Sequence, residues 1–215
     1  WLNGKDGYES RTLSRVLPLT NVDAGLAFER QTTLFGKSYL QTLEPRAFYN
    51  YIPAKSQNDL PNFDTSLNGF SYAQLFRENI YSGQDRINAS NSLSVGLQSR
   101  MIDAATGAER FRAGIGRKYY FRDDNVLLDG SIEHGRRWRS DIAAFAGTTT
   151  VRLHWSNQPY RWHTNDGEEV FAVLDGIVEM RWREHGSEHR ARLNAGDIFH
   201  AKNGCEHVAH PIGEA

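Results

Sequence analysis

The sequence predicts an all-β chain built in two parts, antiparallel hairpins over residues 1–147 and a smaller β-rich part over residues 148–215. Three observations carry this. Apolar side chains recur at every second position through the first two thirds, Gly, Asp and Asn punctuate the runs, and the composition changes beyond Gly147.

The alternation begins in residues 16–28. Val16, Pro18, Thr20, Val22, Ala24, Leu26 and Phe28 share one face, and Asn21, Asp23 and Glu29 fall on the other. Successive strand side chains point to opposite faces, so this run is a strand with one greasy side. After a turn at Gly36-Lys37, Tyr39, Leu43, Pro45, Ala47, Tyr49 and Tyr51 oppose Thr42, Glu44, Arg46 and Asn50. A third run sets Leu93, Val95, Leu97 and Met101 against Ser92, Ser94, Gln98 and Arg100. In the fourth, Phe111, Ala113, Ile115, Tyr119 and Phe121 oppose Arg110, Arg112 and Lys118, and shorter runs follow at 126–132 and 138–146.

Asp103-Ala-Ala-Thr-Gly107 and Arg122-Asp-Asp-Asn125 carry residues that tolerate tight-turn dihedrals, so successive strands should be antiparallel neighbours. Residues 53–88 are different. They lack sustained alternation and are rich in Asn, Asp, Ser and Pro. A connection this long is uncommon in a compact soluble domain and ordinary on the extracellular rim of a membrane barrel.

Two readings fit the alternation. In a soluble sandwich the apolar faces pack on each other; in a membrane barrel they meet lipid, and the polar faces line a hydrated lumen. Long strands, tyrosines towards the strand ends, and the mixed charges of Glu44, Arg46, Arg100, Arg110, Arg112 and Lys118 suit the barrel. The apolar stretches are far short of the roughly 18 residues a spanning helix needs, so any crossing must be by strands. A net charge of -1 with 24% charged residues offers no basic excess for a phosphate backbone, which argues against nucleic acid as a partner.

The segments Asp23-Ala-Gly-Leu-Ala-Phe-Glu-Arg30, Tyr39-Leu-Gln-Thr-Leu-Glu-Pro-Arg46, Tyr49-Asn-Tyr-Ile-Pro53, Gln74-Leu-Phe-Arg-Glu-Asn79, Ser82-Gly-Gln-Asp-Arg-Ile87 and Leu93-Ser-Val-Gly-Leu-Gln-Ser-Arg100 closely resemble the LptD family, in the order and spacing of its barrel. The resemblance covers residues 1–147. It implies an outer-membrane barrel, plugged by the lipoprotein partner LptE, that delivers lipopolysaccharide to the outer leaflet without covalent chemistry. The family's periplasmic β-jellyroll, closing strand pair and disulfide cysteines are not recognisable here, and the single cysteine is Cys205. With Trp1 first and no leader before the first strand, the chain reads as an excerpt. About six strands cannot close a barrel, so the fold class is an incomplete one. Glu44 and Arg46 are expected in an internal polar network rather than on lipopolysaccharide, and residues 74–87 in an ordered extracellular loop whose charges fix the loop.

Five of the eight histidines lie beyond residue 180, and the sequence from Trp162 onward resembles a cupin, a small β-barrel or jelly roll. Asn165-Asp-Gly-Glu-Glu-Val-Phe-Ala-Val-Leu-Asp-Gly176 looks like the first cupin motif, and Gly196-Asp-Ile-Phe-His-Ala-Lys-Asn-Gly-Cys-Glu-His207 the second. The resemblance covers residues 151–215 and is partial. It implies either a site for a divalent ion (Fe, Mn, Ni or Zn), with His163, Glu169 and His207 as ligands, or a structural pocket without metal, since many cupins bind none. Asn165 stands where a further histidine is expected, and Lys202 replaces the usual proline. His185, His189, His200 and His210 lack motif spacing and read as surface residues, and Cys205 reads as a small, partly buried side chain. The cupin resemblance further implies a small molecule or a second copy as partner, a typically cytoplasmic location, and a possible metal-dependent enzyme. Since a barrel and a cytoplasmic cupin need different destinations, a fusion of two pieces is the simpler account of the junction.

Overall fold

The computed structural model describes residues 13–135, 138–164 and 167–213, with residues 138–140 as backbone alone. The chain forms two compact units, Trp1–Gly135 with Ser140–Leu153, and Arg136–Arg139 with His154–Ala215.

The first unit is one antiparallel sheet. Strands β1 (Thr20–Gly25) and β2 (Phe28–Leu34) lie end to end along β3 (Lys37–Ile52), followed across the sheet by β4 (Ser90–Asp103) and β5 (Glu109–Tyr120). A small ladder of β6 (Asn125–Val126) with β7 (Ile132–Glu133) interrupts the chain, and β8 (Trp138–Ala146) and β9 (Thr149–Ser156) complete the order. Because β1 and β2 share a row, the sheet has six rows, and among the described residues its first and last rows do not pair.

The register explains that shared row. Gly25 pairs with Arg46 and Phe28 with Leu43, so Leu26 faces Pro45. Leu26 donates its N–H to the Pro45 carbonyl at 3.0 Å. Proline has no N–H to return, so the ladder lapses for one rung and one expected strand becomes two. The strand starts at Thr20 rather than Val16, and residues 126–132 form the tip of the small β6–β7 ladder instead of a strand of their own. The β2–β3 turn uses Phe35 (φ 51°) and Gly36 (φ 74°), both left-handed as a two-residue hairpin requires, one position earlier than the sequence suggested.

Cross-strand pairing aligns the apolar residues on one face. Val22, Tyr49, Leu93 and Tyr119 form one row, and Pro45, Leu97 and Ile115 another. This face is bare: Val22 is 62% exposed, Phe28 55% and Ile115 56%. The polar face is the covered one, since Thr42, Asn50, Ser92, Ser94 and Lys118 are buried.

What covers it is the connection between β3 and β4. Its 3-10 turn, Ala73–Phe76, sets Leu75 and Phe76 against Phe48 and Ala143, with Phe70 and Tyr72 alongside. The sheet makes room with glycines. A Cβ on Gly96 would stand 2.7 Å from Phe76 Cζ, and one on Gly116 2.5 Å from Leu75 Cδ1. Polar ties complete the seat, as Ser94 Oγ donates to the Leu75 carbonyl at 2.6 Å and Asn50 Nδ2 to that of Glu78 at 2.8 Å. Residues 74–87 are thus ordered, as expected, but they lie over the polar side of the sheet.

At the long-loop end, two connections lock together. Arg86, 3% exposed, donates to the carbonyls of Leu60 (2.6 Å), Pro61 (3.2 Å), Asp85 (3.0 Å) and Leu128 (2.7 Å). Tyr81 Oη donates to the Val126 carbonyl, and the Gln57 N–H to that of Gly130 at 2.7 Å. Gly130 (φ 90°) lies so close that a Cβ would meet the Gln57 carbonyl oxygen at 2.3 Å. The expectation that charges in this segment fix the loop is met by Arg86.

The second unit has a four-stranded ladder in the order β10 (His163–Thr164), β15 (Glu206–Ile212), β12 (Ile177–Glu184), β13 (Ser187–Asn194), and a two-stranded ladder of β11 (Glu169–Ala172) with β14 (Ile198–Ala201). Val173, Met180 and Leu193 form its core, packed by Phe171, Trp182 and Phe199. The β12–β13 turn repeats the left-handed pair, His185 (φ 51°) and Gly186 (φ 79°). Among the described residues neither ladder closes on itself.

Two tests follow for the covered face. Gly116→Val should displace the Leu75 turn and cost about 1–3 kcal/mol by overpacking, seen as faster proteolysis within residues 53–89 of the detergent-folded chain. Burial raises the Tyr81 phenol from 10.0 to about 12. Its contribution is therefore intact below pH 10 and lost as pH climbs to 12, because the unfolded phenol ionises first; an alkaline unfolding series against Tyr81→Phe should show that extra slope only in the parent chain.

Candidate functional site

Two strand pairs bring His163, Glu169 and His207 together. His163 lies directly opposite His207 in the β10–β15 ladder, and Glu169 opens β11, paired with Ala201. The imidazole rings of His163 and His207 are 4.5 Å apart, and Glu169 Oε2 is 3.5 Å from His207 Nε2. One ligand atom from each of the three residues lies within 4.8 Å of the others. Ligands about 2.1 Å from one ion stand roughly 3–3.5 Å apart, so the Glu169–His207 separation already matches and only wider ones would close on binding.

The tautomers are fixed by the backbone. His163 Nδ1 lies 3.0 Å from the Arg161 carbonyl, and His207 Nδ1 lies 2.9 Å from that of Cys205. A carbonyl only accepts, so each Nδ1 carries the proton and each neutral ring presents a bare Nε2 lone pair. His207 is 1% exposed, and its Nε2 and Glu169 Oε2 are buried without a hydrogen-bond partner among the described residues. Two unsatisfied buried acceptors facing each other are costly unless something electropositive joins them. A proton is one candidate. Burial alone would lower the His207 pKa, but the Glu169 carboxylate and the Cys205 carbonyl outweigh it and raise the pKa overall. A divalent cation is the other, and the donor set of two imidazoles and a carboxylate fits one.

The remaining histidines do not join this group. His189 stacks on Trp182, His200 sits 3.4 Å from exposed Glu168, and His185 occupies the β12–β13 turn. Burial pushes the Cys205 thiol up, helped by Glu184, which favours its protonated form. Asn165, where a further ligand was sought, lies outside the described residues. The three side chains that the cupin resemblance named are brought together here. The carbonyls that orient the rings left no sequence signal, because any residue supplies one.

In the first unit, the expected polar network is present. Glu44 accepts from Thr42 Oγ1 (2.7 Å), Gln98 Nε2 (3.1 Å) and Arg100 Nε (2.6 Å). Arg46 donates through Nε to Asp23 at 2.9 Å and lies 4.6 Å from the Phe76 ring centroid. These charges are engaged with each other and with the covering connection.

Comparison with known proteins identifies the family. Residues 2–172 match the family described as LptD: LPS transport system D, a span that continues past residue 147 and takes in His163 and Glu169. The chain is 63% identical over 210 residues to the LPS-assembly protein LptD of Neisseria gonorrhoeae, covering 94% of this chain and 26% of that protein. It is 63% identical over 173 residues to that of Neisseria meningitidis serogroup B (80% of this chain, 22% of the relative) and 45% identical over 162 residues to that of Aromatoleum aromaticum (75% and 20%). The chain thus spans about a quarter of the length of these relatives. With the family match spanning both halves of the sheet and the relatives agreeing, the chain belongs to the LptD family.

Proposed function

We propose that the first unit is a section of the wall of an outer-membrane barrel that carries lipopolysaccharide to the outer leaflet. The observation that carries this reading is the inversion of its faces: polar side chains are buried beneath the β3–β4 connection while the apolar rows are bare. That inversion is unfavourable in water and correct in a bilayer. Lipopolysaccharide is the substrate this reading assigns, and LptE is the partner that the rest of such a barrel would enclose. This part of the chain does no covalent chemistry.

The second unit, in this proposal, is a cupin-like module whose His163, Glu169 and His207 hold one divalent ion. A bound ion would supply Lewis acidity and open coordination positions to a small molecule. The protein's own contribution is to aim two Nε2 lone pairs and a carboxylate at one point and to shield His207 from water. Support comes from the paired orphan acceptors at Glu169 and His207.

Each half has its own measurement. Exported to the periplasm, the chain should fractionate with the outer membrane and require detergent for extraction; recovery in the soluble periplasm would make the sheet part of a water-soluble sandwich and end the barrel reading. For the metal, equilibrium dialysis against Fe(II), Mn(II), Ni(II) or Zn(II) followed by elemental analysis should retain about one ion per chain. Glu169→Gln and His207→Ala should each weaken retention by at least roughly tenfold. Retention should also decline as pH falls through the raised His207 pKa, since a protonated imidazole cannot ligate. Equal retention in the parent and a His207→Ala/Glu169→Gln double variant would refute the site.

A further inference from the structure

Arg117 breaks the alternation of β5 and stands on its apolar face. The register places it beside Val95 on β4 and Ile142 on β8, between Ile115 and Tyr119 on its own strand. Across β3, β4, β5 and β8, the rows of this face from Gln41 to Tyr51 hold no other charge among the described residues. The side chain is exposed, and among the described residues it has no carboxylate and no hydrogen-bond partner. Its guanidinium lies 4.8 Å from the centroid of the Tyr119 ring, so it reaches along the strand towards the Tyr49–Leu93–Tyr119 row.

That row lies at the long-loop end. The short turns, Phe35-Gly36 and 104–108, are at the opposite end, where the Ala104 N–H donates to the Ser38 carbonyl at 3.0 Å. Short turns mark the periplasmic rim and long connections the extracellular one, so Arg117 sits about 7 Å, two residues, inside the extracellular tyrosine girdle. A cation on a lipid-facing surface is costly at mid-bilayer and nearly free at the interface, where anionic headgroups can reach it. A guanidinium presents a planar fork that pairs two N–H donors with two phosphate oxygens, and a flanking tyrosine face holds it in place.

We propose that Arg117 is a docking point for the phosphate of an outer-leaflet lipid, specifically a phosphorylated glycolipid, on the outside of the wall. The inference rests on the barrel reading and deepens it: the outer surface would contact delivered lipopolysaccharide as well as spanning the membrane. Arg117 grips a headgroup where its neighbours meet acyl chains. Charge complementarity selects this occupant, because the surrounding Ala47, Val95 and Ile142 offer the guanidinium no side-chain acceptor to compete with a phosphate.

The test uses the whole chain folded in neutral detergent micelles, with fluorescent lipid A as probe and the same lipid stripped of its phosphates as control. Lipid A should bind the parent chain on the order of tenfold more tightly than Arg117→Gln. Arg117→Lys should fall between them, because an ammonium keeps the charge and loses the fork. Dephosphorylated lipid should bind all three equally, and Arg112→Gln, which alters a polar-face arginine paired with Glu109, should bind like the parent. Far-UV circular dichroism checks folding; if Arg117→Gln fails that check, a weakened Arg117→Lys supports the proposal and an unweakened one overturns it. Parent-like binding by a folded Arg117→Gln likewise overturns it. A chain that never enters micelles sinks the barrel reading along with it, whereas micelle entry with Arg117-insensitive binding sinks this inference alone.

Discussion

Burial in the first unit is organised around the polar side of a sheet, and the rest of its architecture depends on that choice. The β3–β4 connection lays Leu75, Phe76 and Tyr72 onto a surface of serines, asparagine and glycine. A sheet has two faces, so covering this one leaves the apolar rows to whatever surrounds the molecule. Every buried polar group then needs a partner within a thin layer. Asn50 and Ser94 reach the carbonyls of the covering turn, while Glu44 gathers Thr42, Gln98 and Arg100. The layer is held by these hydrogen bonds together with the apolar packing of Leu75 and Phe76 on Phe48 and Ala143.

The second unit follows the ordinary arrangement, with Val173, Met180 and Leu193 inside and charges outside. Its departure from that pattern is local. His207 is buried as deeply as Met180, yet its inward nitrogen and the facing carboxylate oxygen of Glu169 lack partners. In the first unit, most buried polar side chains find neighbours, with Asn50 Oδ1 left without a partner among the described residues. In the second, polar burial is concentrated at one point and left unresolved by the protein's own atoms, which is what makes that point chemically informative.

Much of this was legible in the sequence. Turn residues indicated the antiparallel order, period-two alternation gave the faces because every residue in a run contributes to it, and the same signal placed Glu44 and Arg46 on the networked side. Pairwise effects were harder to see. The lapse opposite Pro45 depends on which residue is its cross-strand neighbour, and alternation alone does not give register. The seat for Leu75 and Phe76 depends on glycines in strands distant in sequence, so the long connection looked like an outward loop. In the second unit, the resemblance named His163, Glu169 and His207, and the fold brings these three side chains together. The carbonyls that set their tautomers are main-chain atoms and carry no residue code.

The glycine seat sets different rules for substitution on the two sides of the same strand. At Gly96 and Gly116 the limit is volume: Phe76 and Leu75 stand where a side chain would begin, so even a small polar replacement is obstructed. One position away, at Val95, Leu97 or Ile115, the space is open, and under the proposed barrel reading the limit is polarity. Related sequences under the same constraints should therefore vary with a period of two in kind as well as in amount, conserving size at one residue and hydrophobicity at the next.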